Sequence, residues 1–290
     1  MNLALYTLLC LIWGSTWLVI KVGYGGLGPL NVAALRFLVA GLVLVPVGSV
    51  LGVRWPRGQT EWRLVIFVGL TLFAGDYGLI YWAEQYLDSG LTAIVFAMLP
   101  LVTIALAHVY MPGDPITPGR LAGTSLAFAG VAALFADRVR LDASQLGPML
   151  GVVGGTVCAA AGSIGSKRYG GALHPAALNA PSMLVGAAAL AVVSLLVGDG
   201  FALPRASGTW LAILYLALAG SVVTFLIYFS LLKTWNVTSL SFISVFTPAL
   251  ALILGFVFLG ERPTRWTVAG AVLILAGVTL ALAATPRRAQ

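Results

Sequence analysis

The fold of this chain is decided by the stretch SFISVFTPALALILGFVFLGERPTRWTVAGAVLILAGVT, residues 241–279. It reads as an apolar segment with Pro248 near its middle, a short acidic turn at Glu261, and a second apolar segment. An earlier stretch, AIVFAMLPLVTIALAHVYMPGDPITPGRLAGTSLAFAGVA at residues 93–132, has the same order of features, with Pro100 in its first apolar segment. The two stretches therefore look like two copies of one unit.

The matching residues are separated by a nearly constant number of positions. The two mid-segment prolines are 148 positions apart, and Glu261 follows its counterpart Asp114 by 147. Gly270 follows Gly123 by 147 positions, and Gly277 follows Gly130 by the same number. We interpret the chain as a tandem duplication, with a first repeat at residues 1–137 and a second at residues 146–285.

The composition places the chain in a membrane. Hydrophobic residues make up 60% of the 290 residues and charged residues 9%, and the mean hydropathy is +1.01. Soluble domains carry about a quarter charged residues, whereas a membrane-spanning helix needs roughly 20 apolar residues. We predict helices rather than strands, because lipid requires backbone groups to be satisfied within the segment. Ten are predicted, at about 4–22, 30–50, 63–83, 89–110, 119–136, 147–167, 175–197, 209–232, 237–259 and 265–284.

Five helices per repeat is an odd number, so the second repeat enters the membrane from the opposite side to the first. The predicted fold is therefore an all-α integral membrane protein with ten transmembrane helices, arranged as two inverted five-helix repeats. Inverted repeats are typical of transporters, which bind substrate near the midplane where the repeats meet. Lys and Arg favour one side of the membrane by nine to six, which predicts that both termini are cytoplasmic.

Charge and cysteine content argue against several other classes of protein. The net charge of +7 comes from basic residues that stand singly or in pairs between apolar runs, so it does not indicate nucleic-acid binding. Cys10 and Cys158 both lie within apolar runs, which predicts neither a disulfide framework nor a metal site. The sequence contains no HExxH motif, no paired catalytic carboxylates and no Gly-rich phosphate-binding loop. We predict no catalytic residues and no cofactor.

Several segments together resemble a known family. They are WGSTWLVIK at 13–21, PLNVAALRFLVAG at 29–41, the paired mid-helix prolines, and LGERPTRWTVAGAVLILAGV at 259–278. The combination resembles the EamA family of the drug/metabolite transporter superfamily, and within it the YddG-type exporters of aromatic amino acids and related metabolites. The resemblance implies a bacterial inner membrane and a central cavity between the halves. Asp114 departs from the family's Glu, and Glu84 stands where the family has a small or apolar residue.

Aromatic and hydroxyl side chains near the middle of the predicted spans form the candidate substrate cavity. Trp13 and Trp17 are one helical turn apart and therefore share a face. The other predicted cavity residues are Ser15, Thr16, Tyr77, Tyr81, Trp82, Phe96, Tyr228, Ser241 and Ser244. Hydroxyls on one wall and aromatic rings on another suit a zwitterion with a bulky apolar side chain. Interhelical packing is the alternative interpretation of the same residues.

Pro100 and Pro248 lie near the centres of the fourth and ninth predicted helices. A proline removes one backbone hydrogen bond and tends to kink its helix. The matched positions favour a pair of hinges for alternating access. A static bend, with the freed carbonyls satisfied by neighbouring helices, is the alternative.

Three ionisable residues lie within or at the end of predicted spans, where charge is costly and often functional. Arg36 and Asp76 fall in the same half of the membrane, and we predict that they form an ion pair. Glu84, at the end of the third helix, is a candidate for proton coupling, although a helix-end carboxylate in water needs no such role.

The sequence favours an inner-membrane transporter that exports amino acids, aromatic or neutral, and related small amphipathic metabolites by alternating access. Other cargoes stay open: sugar phosphates would need several basic residues facing the cavity, and cationic drugs would need a central carboxylate. An intramembrane lipid-modifying enzyme is the alternative from another class. A small-molecule substrate and the lipid bilayer are the predicted partners, and both a monomer and a homodimer are compatible with the sequence.

Overall fold

The computed structural model describes residues 3–111, 117–141, 143–241 and 243–284, and its regular structure in those ranges is helical. Asp114 lies outside the described residues. Ten helices follow one another in these ranges: α1 Leu3–Gly23, α2 Pro29–Val50, α3 Gln59–Ala83, α4 Ser89–Tyr110, α5 Pro118–Leu141, α6 Leu146–Tyr169, α7 Pro175–Leu196, α8 Ser207–Thr234, α9 Val237–Leu259 and α10 Arg265–Ala283. Eight of them are long and apolar enough to span a bilayer, and α5 and α10 contain shorter apolar stretches.

Prolines set the first residue of two matched helices. Pro29 begins α2 and Pro175 begins α7, where a missing N–H costs nothing because the first helical N–H groups have no partner within the helix. The residue before each proline is extended, with φ and ψ of −61° and 144° at Gly28 and −65° and 142° at His174. The His174 ring also accepts a hydrogen bond from the backbone N–H of Ala176 at 3.2 Å.

Helices of each repeat pack against helices of the other, and counterpart helices make equivalent contacts. Each of α2 and α5 packs against its own counterpart, α7 and α10 respectively. Helix α1 contacts α8 and α9, and its counterpart α6 contacts α3 and α4. A two-fold axis between the repeats relates these two sets of contacts. With five crossings in each repeat, the axis lies in the membrane plane, so the predicted inverted-repeat fold is confirmed.

Glycines bring the backbones of α5 and α10 into contact. A Cβ atom at Gly123 would overlap the backbone of Ala281, and one at Gly130 would lie 2.8 Å from the carbonyl oxygen of Gly270. Close approach through small residues is a common way for membrane helices to associate. Helices α5 and α10 thus form a closely packed pair, whose buried residues share one core cluster with residues of α4, α6 and α9.

Helices α3 and α8 each contain a π-helical segment at matched positions. The segments are Gly69–Asp76 in α3 and Leu218–Val223 in α8, and their last residues are 147 positions apart. Such segments are frequent at functional sites because they shift the direction of the side chains that follow. Helix α4 is interrupted between Phe96 and Leu99, directly before Pro100.

One boundary differs from the sequence prediction. Helix α5 continues to Leu141, whereas the sequence predicts that this helix ends at about residue 136. No Pro or Gly interrupts residues 134–141, so nothing in the sequence prevents the backbone hydrogen bonds of α5 from continuing.

Candidate functional site

A central cavity of about 80 Å³ lies between the repeats. It is lined by residues of α1, α3 and α4 from the first repeat and by residues of the matching α6, α8 and α9 from the second. A water molecule needs about 10–15 Å³ by this kind of measure, so the cavity has room for several waters or for a small polar group.

Aromatic rings form two sides of the central cavity. Trp13 packs against Phe225 and Tyr228, with ring centroids 5.4 and 5.5 Å apart. Trp17 packs edge-on against Phe96 with centroids 5.5 Å apart. Edge-to-face packing fixes the orientation of these rings, which makes the aromatic walls a shaped surface.

Hydroxyl groups line the part of the cavity formed by α9. Ser241 donates to the carbonyl of Thr238 at 2.7 Å, and Ser244 donates to the carbonyl of Ser241 at 2.7 Å. Thr247 donates to the Ser244 carbonyl at 3.3 Å. This carbonyl receives no helical hydrogen bond from residue 248, because proline has no backbone N–H. Each hydroxyl has thereby used its single hydrogen but keeps acceptor capacity toward the cavity.

The structure brings eight of the predicted cavity residues together around this space. They are Trp13, Thr16, Trp17, Tyr77, Phe96, Tyr228, Ser241 and Ser244. Three others lie elsewhere. Ser15 shares a hydrogen bond with Tyr215 at 2.6 Å, Tyr81 is fully buried beside Arg36, and Trp82 is 37% exposed and packs on Tyr86.

Ten residues that line the cavity were not predicted as site residues, and three of them contribute a polar group or an aromatic ring. Ser163 accepts a hydrogen bond from the Tyr228 hydroxyl at 2.9 Å, and Phe225 and Thr247 complete the walls. Ser163 is the counterpart of Trp17 at an offset of 146. The repeat could therefore have identified Ser163, because its counterpart was predicted to line the cavity. Phe225 and Thr247 resemble ordinary packing residues in the sequence.

Arg36 is a buried cation with its own set of partners. Its Nε donates to the Ser221 hydroxyl at 2.8 Å, and its Nη2 donates to the Gly220 carbonyl at 2.8 Å. Its Nη1 lies 3.3 Å from the Tyr81 hydroxyl, and its Cζ lies 4.6 Å from the centre of the Tyr77 ring. Arg36 thus joins α2 to the π-helical segment of α8.

The predicted ion pair between Arg36 and Asp76 is wrong. The salt bridges among the described residues are Lys21 with Glu261 and Asp88, and Arg54 with Glu61. The acceptors on α8 and α3 already use the guanidinium of Arg36, so it does not turn toward Asp76. Asp76 instead lines the central cavity.

A polar cluster closes one end of the molecule, which we call the Glu261 face. The carboxylate of Glu261 accepts from the Ser89 N–H at 2.9 Å, from the Ser89 hydroxyl at 2.7 Å and from Lys21 Nζ at 3.1 Å. Burial disfavours the charged form, but these hydrogen bonds and the Lys21 charge together lower the pKa of Glu261. The cluster therefore ties α1 and the start of α4 to the loop before α10.

Glu84 lies beneath this cluster, so it is not the solvated helix-end carboxylate that was the alternative to a role in proton coupling. Its side chain is 0% exposed, and neither of its oxygens has a hydrogen-bond partner in the described part of the chain. Burial raises the pKa of Glu84 well above its usual range, although the nearby Lys21 charge opposes that shift.

Lys167, the counterpart of Lys21, lies at the opposite end, which we call the Lys167 face. Its Nζ donates to the carbonyls of Leu232, Lys233 and Trp235, at 2.6, 3.1 and 3.0 Å. It therefore caps the carboxyl end of α8, where a cation is favourable.

Metal ligands do not cluster in the described ranges: no group of three or more His, Cys, Asp or Glu side chains could hold an ion there. The two cysteines are both free thiols.

Comparison with known proteins identifies the family and the fold. A model of the EamA-like transporter family matches residues 2–136 and again residues 146–283. The chain is similar to the uncharacterized inner membrane transporter YedA of Escherichia coli (strain K12), at 30% identity over 94% of this chain and 88% of that protein. It is also similar to a probable amino-acid metabolite efflux pump of the same strain, at 28% identity over 93% of this chain and 91% of that protein. One crystal structure superposes with a TM-score of 0.72 and 22% identity, covering 97% of this chain and 96% of the other, a likeness that shows the fold alone.

Proposed function

The chain belongs to the EamA-like transporter family and is a membrane transporter, and from that premise we propose that it exports amino acids and related small amphipathic metabolites. The observation that carries the proposal is the central cavity. Its aromatic walls suit an apolar side chain, and its hydroxyls and Asp76 suit the polar groups of a zwitterion. A relative described as a probable amino-acid metabolite efflux pump supports the same class of cargo.

We propose that transport proceeds by alternating access, with one repeat rocking against the other around the cavity. The bonds of Glu261 to Lys21 and Ser89 link the two repeats at one face, so breaking them would free that face to open. Pro248 and the interruption of α4 before Pro100 are the proposed hinges, because both lie in helices that line the cavity.

The proposed location is a bacterial inner membrane, with both termini on the cytoplasmic side. The similar transporter YedA is described as an inner membrane protein. The excess of Lys and Arg in the loops on the side of the termini supports the orientation. In this orientation the Lys167 face is cytoplasmic and the Glu261 face is external.

Flux in proteoliposomes tests the proposal. Vesicles that contain the purified protein would be loaded with radiolabelled neutral and aromatic amino acids, and efflux would be followed with and without a pH gradient. We expect efflux above that of empty vesicles, and strongly reduced efflux from the Trp13→Ala variant. Efflux no greater than from empty vesicles for every amino acid would refute the proposed cargo.

A further inference from the structure

Asp76 is a buried carboxylate without a partner at the wall of the central cavity. It is the last residue of the π-helical segment of α3 and is 3% exposed. Its Oδ1 has no hydrogen-bond partner among the residues that the structure describes. An anion buried without a partner is strongly unfavourable, so this carboxyl group must take up a proton or pair with a cation or a donor that comes from elsewhere.

The nearby cation of the protein does not meet this need. Arg36 is held by the Ser221 hydroxyl, the Gly220 carbonyl and the Tyr81 hydroxyl. On the other side of Asp76 is Gly155, where even a Cβ atom would lie only 3.2 Å from Oδ1. Asp76 is therefore bounded by a glycine of α6 on one side and lines the central cavity on the other.

Trp17, which lines the same cavity, has a hydrogen-bond donor that needs an acceptor. Its indole N–H is buried and has no acceptor in the described ranges, although the residue is only 6% exposed. Indole is a donor without acceptor capacity, so Trp17 and Asp76 form a complementary pair of unused groups. One can bind an anionic oxygen and the other a cationic N–H group.

Both groups come from the first repeat. The counterpart of Asp76 is Val223, and the counterpart of Trp17 is Ser163, which already accepts from Tyr228. The symmetry of the fold therefore does not require either group. The second repeat contributes the hydroxyls of α9 and the Phe225 ring to the same space.

We propose that Asp76 binds the primary ammonium group of the substrate and that the indole N–H of Trp17 binds its carboxylate. The inference rests on the proposed function and specifies how that cargo is recognised. The two groups select a zwitterion with adjacent amino and carboxylate groups, while the rings of Trp13 and Phe225 take its apolar side chain. A ligand that lacks either charged group leaves one buried group unpaired again.

The test uses three compounds of similar size in proteoliposomes that contain the full-length protein. L-Phenylalanine carries both charged groups, phenethylamine lacks the carboxylate, and 3-phenylpropionate lacks the amine. Each is measured as a competitor of radiolabelled L-phenylalanine efflux. We expect phenylalanine to compete at least tenfold better than either analogue with the wild-type protein.

Two variants should separate the two contacts. Asp76→Asn should abolish the preference for phenylalanine over 3-phenylpropionate while preserving its preference over phenethylamine. Trp17→Phe should do the reverse, because it removes the N–H and keeps an aromatic ring. Asp199→Asn, at an exposed loop, is the matched control and should behave like the wild type. Thermal unfolding of each variant checks folding, and Asp76→Asn should be no less stable than the wild type.

Equal competition by phenylalanine and 3-phenylpropionate in the wild type would overturn the ammonium site while leaving the exporter proposal intact. So would an Asp76→Asn variant that keeps the wild-type preference. If the wild type carries no phenylalanine, the site is judged by thermal stabilisation with the three compounds, and the proposed cargo fails only if no amino acid is carried. Equal shifts for all three, or no shift in any, would then overturn the site.

Discussion

At the scale of the residue, Glu84 shows how far burial alone can change a side chain. A helix-end carboxylate in a polar run of sequence is ordinarily solvated, yet here it is enclosed beneath Lys21 and Glu261 with no hydrogen-bond partner in the described residues. The two glutamates have opposite pKa shifts because Glu261 has donors and Glu84 has none among those residues.

Replacing Glu84 by Gln should remove a pH dependence of stability. Because the pKa of Glu84 is raised in the folded state, that state binds more protons than the unfolded state above an ordinary carboxyl pKa of about 4.3. The free energy of unfolding should therefore fall as pH rises above that value, by up to about 1.4 kcal/mol per pH unit, until the folded-state pKa is passed.

Thermal unfolding in detergent between pH 4 and pH 8 measures this effect. The midpoint of the wild type should decline with pH more steeply than that of Glu84→Gln. Asp199→Asn is the control, because Asp199 lies in an exposed loop. Parallel profiles for the wild type and Glu84→Gln would contradict the assignment.

Individual contacts of the charged residues were the least predictable part of the site. Sequence position placed Arg36 and Asp76 at similar depth, but depth does not give the direction in which a side chain points. The partners of Arg36 on α8 come from a π-helical segment, which has no distinct signature in the sequence. Glu261 was visible as a repeat marker, yet its pairing with Lys21 depends on how the repeats dock.

At the scale of the element, the helices were predictable because lipid imposes their length and their internal hydrogen bonding. The long apolar runs and the prolines at residues 29 and 175 gave most helix bounds to within a few residues. The interruption of α4 and the π-helical segments arise from packing against other helices, so local sequence does not specify them.

The contact between α5 and α10 should depend on glycine. Gly123→Leu would place a side chain into the backbone of Ala281, which we expect to destabilise the protein by about 1–3 kcal/mol, as overpacking typically does. Gly147→Leu is the matched control, since a Cβ atom there has open space. Thermal midpoints and the monodispersity of both variants in detergent measure the effect. Equal midpoints would mean that α5 and α10 are not in close contact.

The proposed hinge at Pro248 should affect transport more than stability. Pro248→Ala restores a backbone N–H that can bond to the Ser244 carbonyl and straighten α9. We expect a several-fold lower efflux rate with an unchanged or higher thermal midpoint. Pro46→Ala, in α2, serves as the control because Pro46 does not line the cavity. Wild-type efflux from both Pro100→Ala and Pro248→Ala would favour static bends.

At the scale of the whole molecule, the Glu261 face should open when its ionic contacts are removed. Lys21→Ala takes away the 3.1 Å bond to Glu261, so the cavity residue Ile20 should become easier to reach from that side. In a variant with Cys10 and Cys158 replaced by serine, we expect several-fold faster labelling of Ile20→Cys by a membrane-impermeant maleimide. Lys233→Ala, an exposed lysine on the other face, is the control. An unchanged labelling rate would mean that these bonds do not hold the face closed.

The overall arrangement was predictable from the duplication, because an odd number of crossings per repeat forces inversion. The departures from symmetry were not predictable: Val223 stands in the second repeat at the position of Asp76, and Ser163 stands at the position of Trp17. The chemistry of the cavity depends on those departures, whereas its existence depends on the symmetry.

Lys21 and Lys167 are counterparts in the two repeats but make different kinds of contact, and this predicts different responses to salt. Lys21 pairs with the opposite charge of Glu261, and dissolved ions screen such a contact. Lys167 donates to neutral carbonyls, and dissolved ions affect those hydrogen bonds much less. Higher salt should therefore weaken the Lys21–Glu261 contact more than the Lys167 contacts, and only modestly, because the Lys21 and Glu261 side chains are 22% and 10% exposed.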